Sequence, residues 1–139
     1  MTNKTTVASY KRIIAYAVCY LLFGLSVWLG FTQGPNDFFD SDTVLQRVCS
    51  TAVTLYGVFG LGAGIGLARR KSWSLVMTRA WCVAIVTAAI AAPLGWAPGE
   101  TPWWGVALGG IVAAALAFGV LRMVRMLLQR PGPPSSSRV

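Results

Sequence analysis

Four apolar runs, each long enough to cross a lipid bilayer, restrict this chain's fold more than any other feature. A spanning helix needs about 20 predominantly apolar residues. The runs are Ile13–Phe31, about Val48–Ala68, about Trp73–Ala92 and about Trp103–Met123, and together they are most of the chain. Only 12% of the residues are charged, roughly half the share usual in a soluble domain. That leaves too little polar surface to cover a water-soluble globule. The first run exceeds the about 7–15 apolar residues of a signal peptide, and no clean small-x-small cleavage site follows it. The expectation is an all-α polytopic membrane protein, with one four-helix transmembrane domain over residues 1–128. The tail, residues 129–139, reads "QRPGPPSSSRV"; it has three prolines and no apolar face and is expected to be disordered.

Charge gives the bundle a direction. Lys4, Lys11 and Arg12 precede the first run, and Arg69, Arg70 and Lys71 join the second to the third. Arg122, Arg125, Arg130 and Arg138 lie at or beyond the end of the fourth. Four crossings bring all of these to one end. The other end receives Asp37, Asp40, Asp42 and Glu100, which is every acidic residue, with Arg47 as its one cation. The positive-inside rule then places both termini in the cytoplasm of a cell with a plasma membrane, here read as a bacterial inner membrane. Cations clustered at the ends of apolar runs also argue against nucleic acid as a partner, despite a net charge of +8.

The ends of the runs carry helix signals. Thr43 followed by Gln46 forms a capping box at the start of the second helix. Thr101 with Pro102 reads as the N-cap and first residue of the fourth. Pro93 and Gly95 read as the close of the third. Trp28, Trp96, Trp103 and Trp104 fall at the acidic-end interface and Tyr10 and Trp73 at the basic-end one, where amphipathic rings concentrate.

Glycine is the second strong signal. "GVFGLGAGIG" places five glycines in ten positions of one span, although each costs about 1 kcal/mol relative to alanine in water. At helical spacing Gly57, Gly60 and Gly64 share one face, extended by Ala68, and Gly62 and Gly66 fall almost opposite. Apolar burial gives little drive for helix association in lipid, so small residues serve by letting backbones approach. Two small faces predict two neighbours, with tight contacts at Gly60/Gly64 and at Gly62/Gly66. The third span has an alanine stripe, Ala80, Ala84, Ala88 and Ala91 with Thr87. The fourth has Gly110, Ala113, Ala114 and Ala117, and a second row of Gly105, Gly109 and Gly119. Tyr16, Tyr20 and Phe23 form an aromatic row on the first, read as packing.

Reactive chemistry is sparse. The chain has no histidine, which removes imidazole ligands and Ser–His or Cys–His couples. Cys19, Cys49 and Cys82 form no C-x-x-C motif; Cys19 and Cys82 read as small apolar fillers, and Cys49, just inside the outer end of the second helix, has neither of the others within easy reach for a disulfide. No carboxylate lies within a span, where a proton-coupled transporter would place one. The D-x-x-D-x-D spacing of the aspartates lacks the glycine and glutamate of a calcium loop. Arg79 enters the third span by about 9 Å at 1.5 Å per residue, within snorkelling reach of the interface. With Arg69, Arg70 and Lys71 it is the candidate contact for an anion or lipid headgroup.

These features predict a non-catalytic accessory or structural subunit without cofactor or metal. Its partners are the lipid bilayer and either further copies of itself or a larger membrane complex. A small oligomeric transporter or channel is the alternative.

Overall fold

The computed structural model describes residues 3–129. The side chain of Lys4, Arg130, Arg138 and the tail expected to be disordered lie outside the described residues, apart from Gln129. Among the described residues the chain forms five helices and no strand: α1 (Asn3–Thr32), α2 (Gly34–Phe39), α3 (Val44–Ala68), α4 (Trp73–Trp96) and α5 (Trp103–Leu128). Four segments are long and apolar enough to cross a membrane, the first running through α1 into α2 as Val7–Phe39. The protein is an all-α bundle of four membrane-spanning helices.

Local chemistry explains most boundaries. The Thr43 side chain accepts from the Gln46 N–H, and the Gln46 Oε1 accepts from the Thr43 and Asp42 N–H groups, so the capping box is complete. At the far end of α3, Arg70 adopts a left-handed φ of 50°. Its N–H reaches the Leu67 carbonyl and the Lys71 N–H reaches the Gly66 carbonyl. This is the 5→2 and 6→1 pairing of a Schellman stop, with arginine where glycine is usual.

Two boundaries differ from the sequence expectation. α4 continues through Pro93 to Trp96. Proline removes one donor and presses on the preceding turn, but a bilayer offers no water to solvate a frayed end, so the helix persists. Its last turn closes through the Ala97 N–H to the Pro93 carbonyl. α5 starts one residue later than expected: Pro102 is its N-cap, with extended backbone, and Thr101 makes no capping bond. The aspartate-rich segment is partly helical. Pro35 stands in the first turn of α2, and the Ser41 hydroxyl bonds the Asp37 and Phe38 carbonyls beyond its end.

α3 is the hub. It packs most extensively on α4 and next on α1, while α5 lies on α4 and touches α1. The core joins Ala15, Cys19 and Phe23 of α1, Tyr56, Ala63 and Leu67 of α3, Trp81 and Ala84 of α4, and Val120, Val124 and Leu127 of α5. Large apolar side chains elsewhere face outward, among them Leu21, Val83, Ile111 and Phe118. Exposed Ile, Val and Phe of this number suit hydrocarbon and not water. Trp28, Trp96, Trp103 and Trp104 are also exposed, as an interfacial belt requires.

Candidate functional site

Among the glycines, the closest backbone approach lies between α1 and α3. A Cβ added to Gly30 would stand 2.5 Å from the Gly57 Cα, and one on Gly57 would stand 2.8 Å from the Gly30 Cα. One turn along, Gly60 faces the Ser26 side chain, and Gly64 faces Phe23. The helices run antiparallel, so the ladder pairs Gly30 with Gly57, Ser26 with Gly60 and Phe23 with Gly64. Gly64 is therefore not at the expected tight contact: a Cβ there would meet Phe23 at an ordinary 3.8 Å. At that level the nearest atoms are the Phe23 Cβ and ring edge, and no backbone atom lies among them. Gly30, the partner that decides the crossing, carried no signal in the sequence reading, although Ser26 and Gly30 have small-xxx-small spacing.

The opposite face of α3 meets α4. A Cβ on Gly66 would stand 2.8 Å from the Ser74 Cβ, and one on Gly62 would meet the flexible Met77 side chain at 3.3 Å. The buried Ser74 hydroxyl crosses the interface and donates to the Ala63 carbonyl at 2.9 Å. At the other end of the same helix pair, Gln46 Nε2 donates to the Gly95 carbonyl at 3.1 Å. Gly95 permits that approach, since a Cβ there would lie 3.3 Å from the Gln46 backbone nitrogen.

The glycines of α5 have other settings. Gly110 packs on the Ile90 side chain, and Gly105 meets Thr101 and Pro102 at its own helix start. Gly109 lies 3.9 Å from the Ala89 carbonyl by the same measure, and Gly119 has nothing within 4 Å. Neither Gly105 nor Gly109 is at a tight crossing.

The centre of the bundle is aromatic. Trp81 is fully buried, edge-on to Phe23 at 5.5 Å and stacked on Tyr56 at 5.2 Å. Its indole N–H has no hydrogen-bond partner among the described residues. The sequence row Tyr16–Tyr20–Phe23 divides here: Phe23 enters the core, while Tyr16 and Tyr20 stack on each other at 6.3 Å, with Tyr20 exposed. Apart from Ser74, these hydroxyls within the spans bond their own helix. Ser26 donates to the Phe23 carbonyl, Thr54 to Ser50, Thr78 to Ser74 and Thr87 to Val83. Cys82 Sγ lies 3.3 Å from the Ala117 carbonyl across α4 and α5. The three cysteines are free thiols.

Two kinds of recess remain. An apolar groove of about 560 Å³ runs between α3 and α4, lined by Leu55 and Phe59 on one side and Val83 and Ala84 on the other. Arg47 contributes to the same lining. At the basic end, a smaller cleft brings Arg70 and Ser72 together with Arg125. Arg69, Arg70, Lys71 and Arg79 are all exposed, as is Arg125, and the cation that shares the cleft with Arg70 is Arg125, not Arg79.

A tightly crossed helical bundle with an aromatic centre and an apolar exterior defines a small multi-pass α-helical membrane protein. Comparison with known proteins finds no family model, no curated protein and no solved structure that matches the chain.

Proposed function

We propose that this protein is a non-catalytic accessory or structural subunit of a plasma membrane, assembled with further copies of itself or within a larger membrane complex. The observation that carries the reading is the filled centre. Phe23, Tyr56 and Trp81 interlock there, and hydroxyls of the neighbouring turns bond their own helix backbones. Such an interior supports neither a polar path through one protomer nor a set of groups poised for reaction. The outermost helix, α5, meanwhile presents Ile111, Val112 and Phe118 outward, with open space over Gly119. In this reading the basic end is cytoplasmic, as the positive-inside rule directs for a bacterial inner membrane. A transport role would need its path between protomers.

The test is extraction from the native membrane into polymer-bounded lipid discs, followed by mass measurement of the particles. The expected particle holds more protein than one 14.9 kDa chain. Discs holding a single copy and no other chain would sink the subunit reading. Substrate flux in proteoliposomes that scales with oligomer content would favour transport.

A further inference from the structure

We propose that the cleft at the basic end of the bundle binds the phosphate of an anionic lipid headgroup. Its volume is about 280 Å³, and it is lined by Arg70, Ser72, Leu75, Arg125, Leu128 and Gln129. The two arginines come from separate elements. Arg70 stands in the α3–α4 turn, and Arg125 in the last turn of α5. A third cation completes the end: Arg12 of α1 donates to the Gln129 carbonyl at 2.8 Å and holds the end of α5 in place.

Convergence of like charges is unfavourable unless an anion sits among them. Every acidic side chain of the sequence belongs to the opposite end, so no carboxylate side chain neutralises the cleft. Guanidinium groups match phosphate with two parallel N–H donors each. Ser72 lines the same cleft, and its hydroxyl supplies a further O–H donor for a phosphate oxygen. The apolar part of the lining, Leu75 and Leu128, packs on the bundle's core. A ligand with an apolar portion fits that wall better than free phosphate does. The level is also right, because Trp73 is exposed one residue beyond Ser72 and marks the membrane interface. The larger groove beside Arg47 lacks this complementarity, since its end of the bundle carries Asp37, Asp40, Asp42 and Glu100.

Arg70 offers a substitution that separates binding from folding. Its φ of 50° is one that glycine adopts more readily than arginine, so Arg70→Gly removes the guanidinium while suiting the backbone. Full-length protein in mild detergent is offered an equimolar mixture of phosphatidylglycerol and phosphatidylcholine, and native mass spectrometry counts the lipids retained. Wild type should prefer phosphatidylglycerol. Arg70→Gly and Arg125→Gln should each lower that preference about fivefold, the weight of one basic residue at an anionic surface. Arg47→Gln should leave it unchanged, and Arg70→Gly should unfold at the same temperature as wild type or higher. Equal retention of both lipids, an unchanged preference in both cleft variants, or the same loss in Arg47→Gln would overturn the proposal. A parallel titration with inorganic phosphate distinguishes the source. Thermal stabilisation by phosphate without any phosphatidylglycerol preference would overturn the lipid assignment.

Discussion

At the scale of single residues, the structure ranks glycines that look alike in sequence. Gly30 and Gly57 meet backbone to backbone, whereas Gly24 and Gly119 have nothing within 4 Å of an added Cβ, and Gly64 has only Phe23 at 3.8 Å. Gly57→Ala and Gly30→Ala must therefore push α1 from α3, at a cost on the order of 1–3 kcal/mol for overpacking. Gly64→Ala and Gly24→Ala should leave stability unchanged or slightly raised. Thermal unfolding in detergent reads the difference, and a Gly57→Ala protein as stable as Gly64→Ala would refute the α1–α3 crossing. Trp81 gives a second residue-scale prediction. Trp81→Ala opens a cavity at the centre and should cost about 3–5 kcal/mol. Trp81→Phe should cost less than half of that, because the indole N–H it removes has no partner among the described residues to lose.

At the scale of elements, α3 and α4 are held by one side-chain bond near each end, Gln46 to Gly95 and Ser74 to Ala63. Gln46 also completes the capping box, so one side chain both starts α3 and ties it to the end of α4. Gln46→Glu separates the two jobs. It keeps an acceptor for the Asp42 and Thr43 N–H groups but sets a carboxylate oxygen against the Gly95 carbonyl. The expected loss is about 1 kcal/mol, the typical net worth of one hydrogen bond, since this one is only part-buried. A stability equal to wild type at neutral pH would show that the Gly95 bond contributes nothing. The capping box was legible in the sequence because it is local: a threonine, a glutamine three residues on, and an apolar run behind them. The link to Gly95 was not, because it depends on how α3 and α4 slide against each other. The same limit hid Gly30, whose importance is set by Gly57 on another helix, and the meeting of Arg70 with Arg125. Pro93 misled in a different way. Proline ends helices reliably in water, but the bilayer makes an unravelled turn costly and keeps α4 helical past it.

At the scale of the whole molecule, the helices are longer than a bilayer requires. α4, α5 and α3 have 24, 26 and 25 residues and α1 has 30. At 1.5 Å per residue these exceed the hydrocarbon thickness of about 30 Å, so their ends project into the headgroup layers or the helices tilt. Charge, not length, is then the feature that distinguishes the two ends. Arg12, Arg70 and Arg125 gather at one end and Asp40, Asp42 and Glu100 belong to the other. The positive-inside rule predicts that the acidic end is outside. Single cysteines at Asp40 and Glu100, in a background with Cys19, Cys49 and Cys82 replaced, should react with an impermeant thiol reagent added to whole cells. A cysteine at Lys71 should react only after the membrane is opened. Gly99 is a poor reporter position, since its φ of 85° would strain any side chain placed there. Labelling of Lys71→Cys in intact cells, with Asp40→Cys protected, would invert the bundle and move the phosphate cleft to the outer leaflet. Labelling of both from outside would break the four-crossing topology itself, because Asp40 and Lys71 are separated by one span, α3, and must face opposite sides.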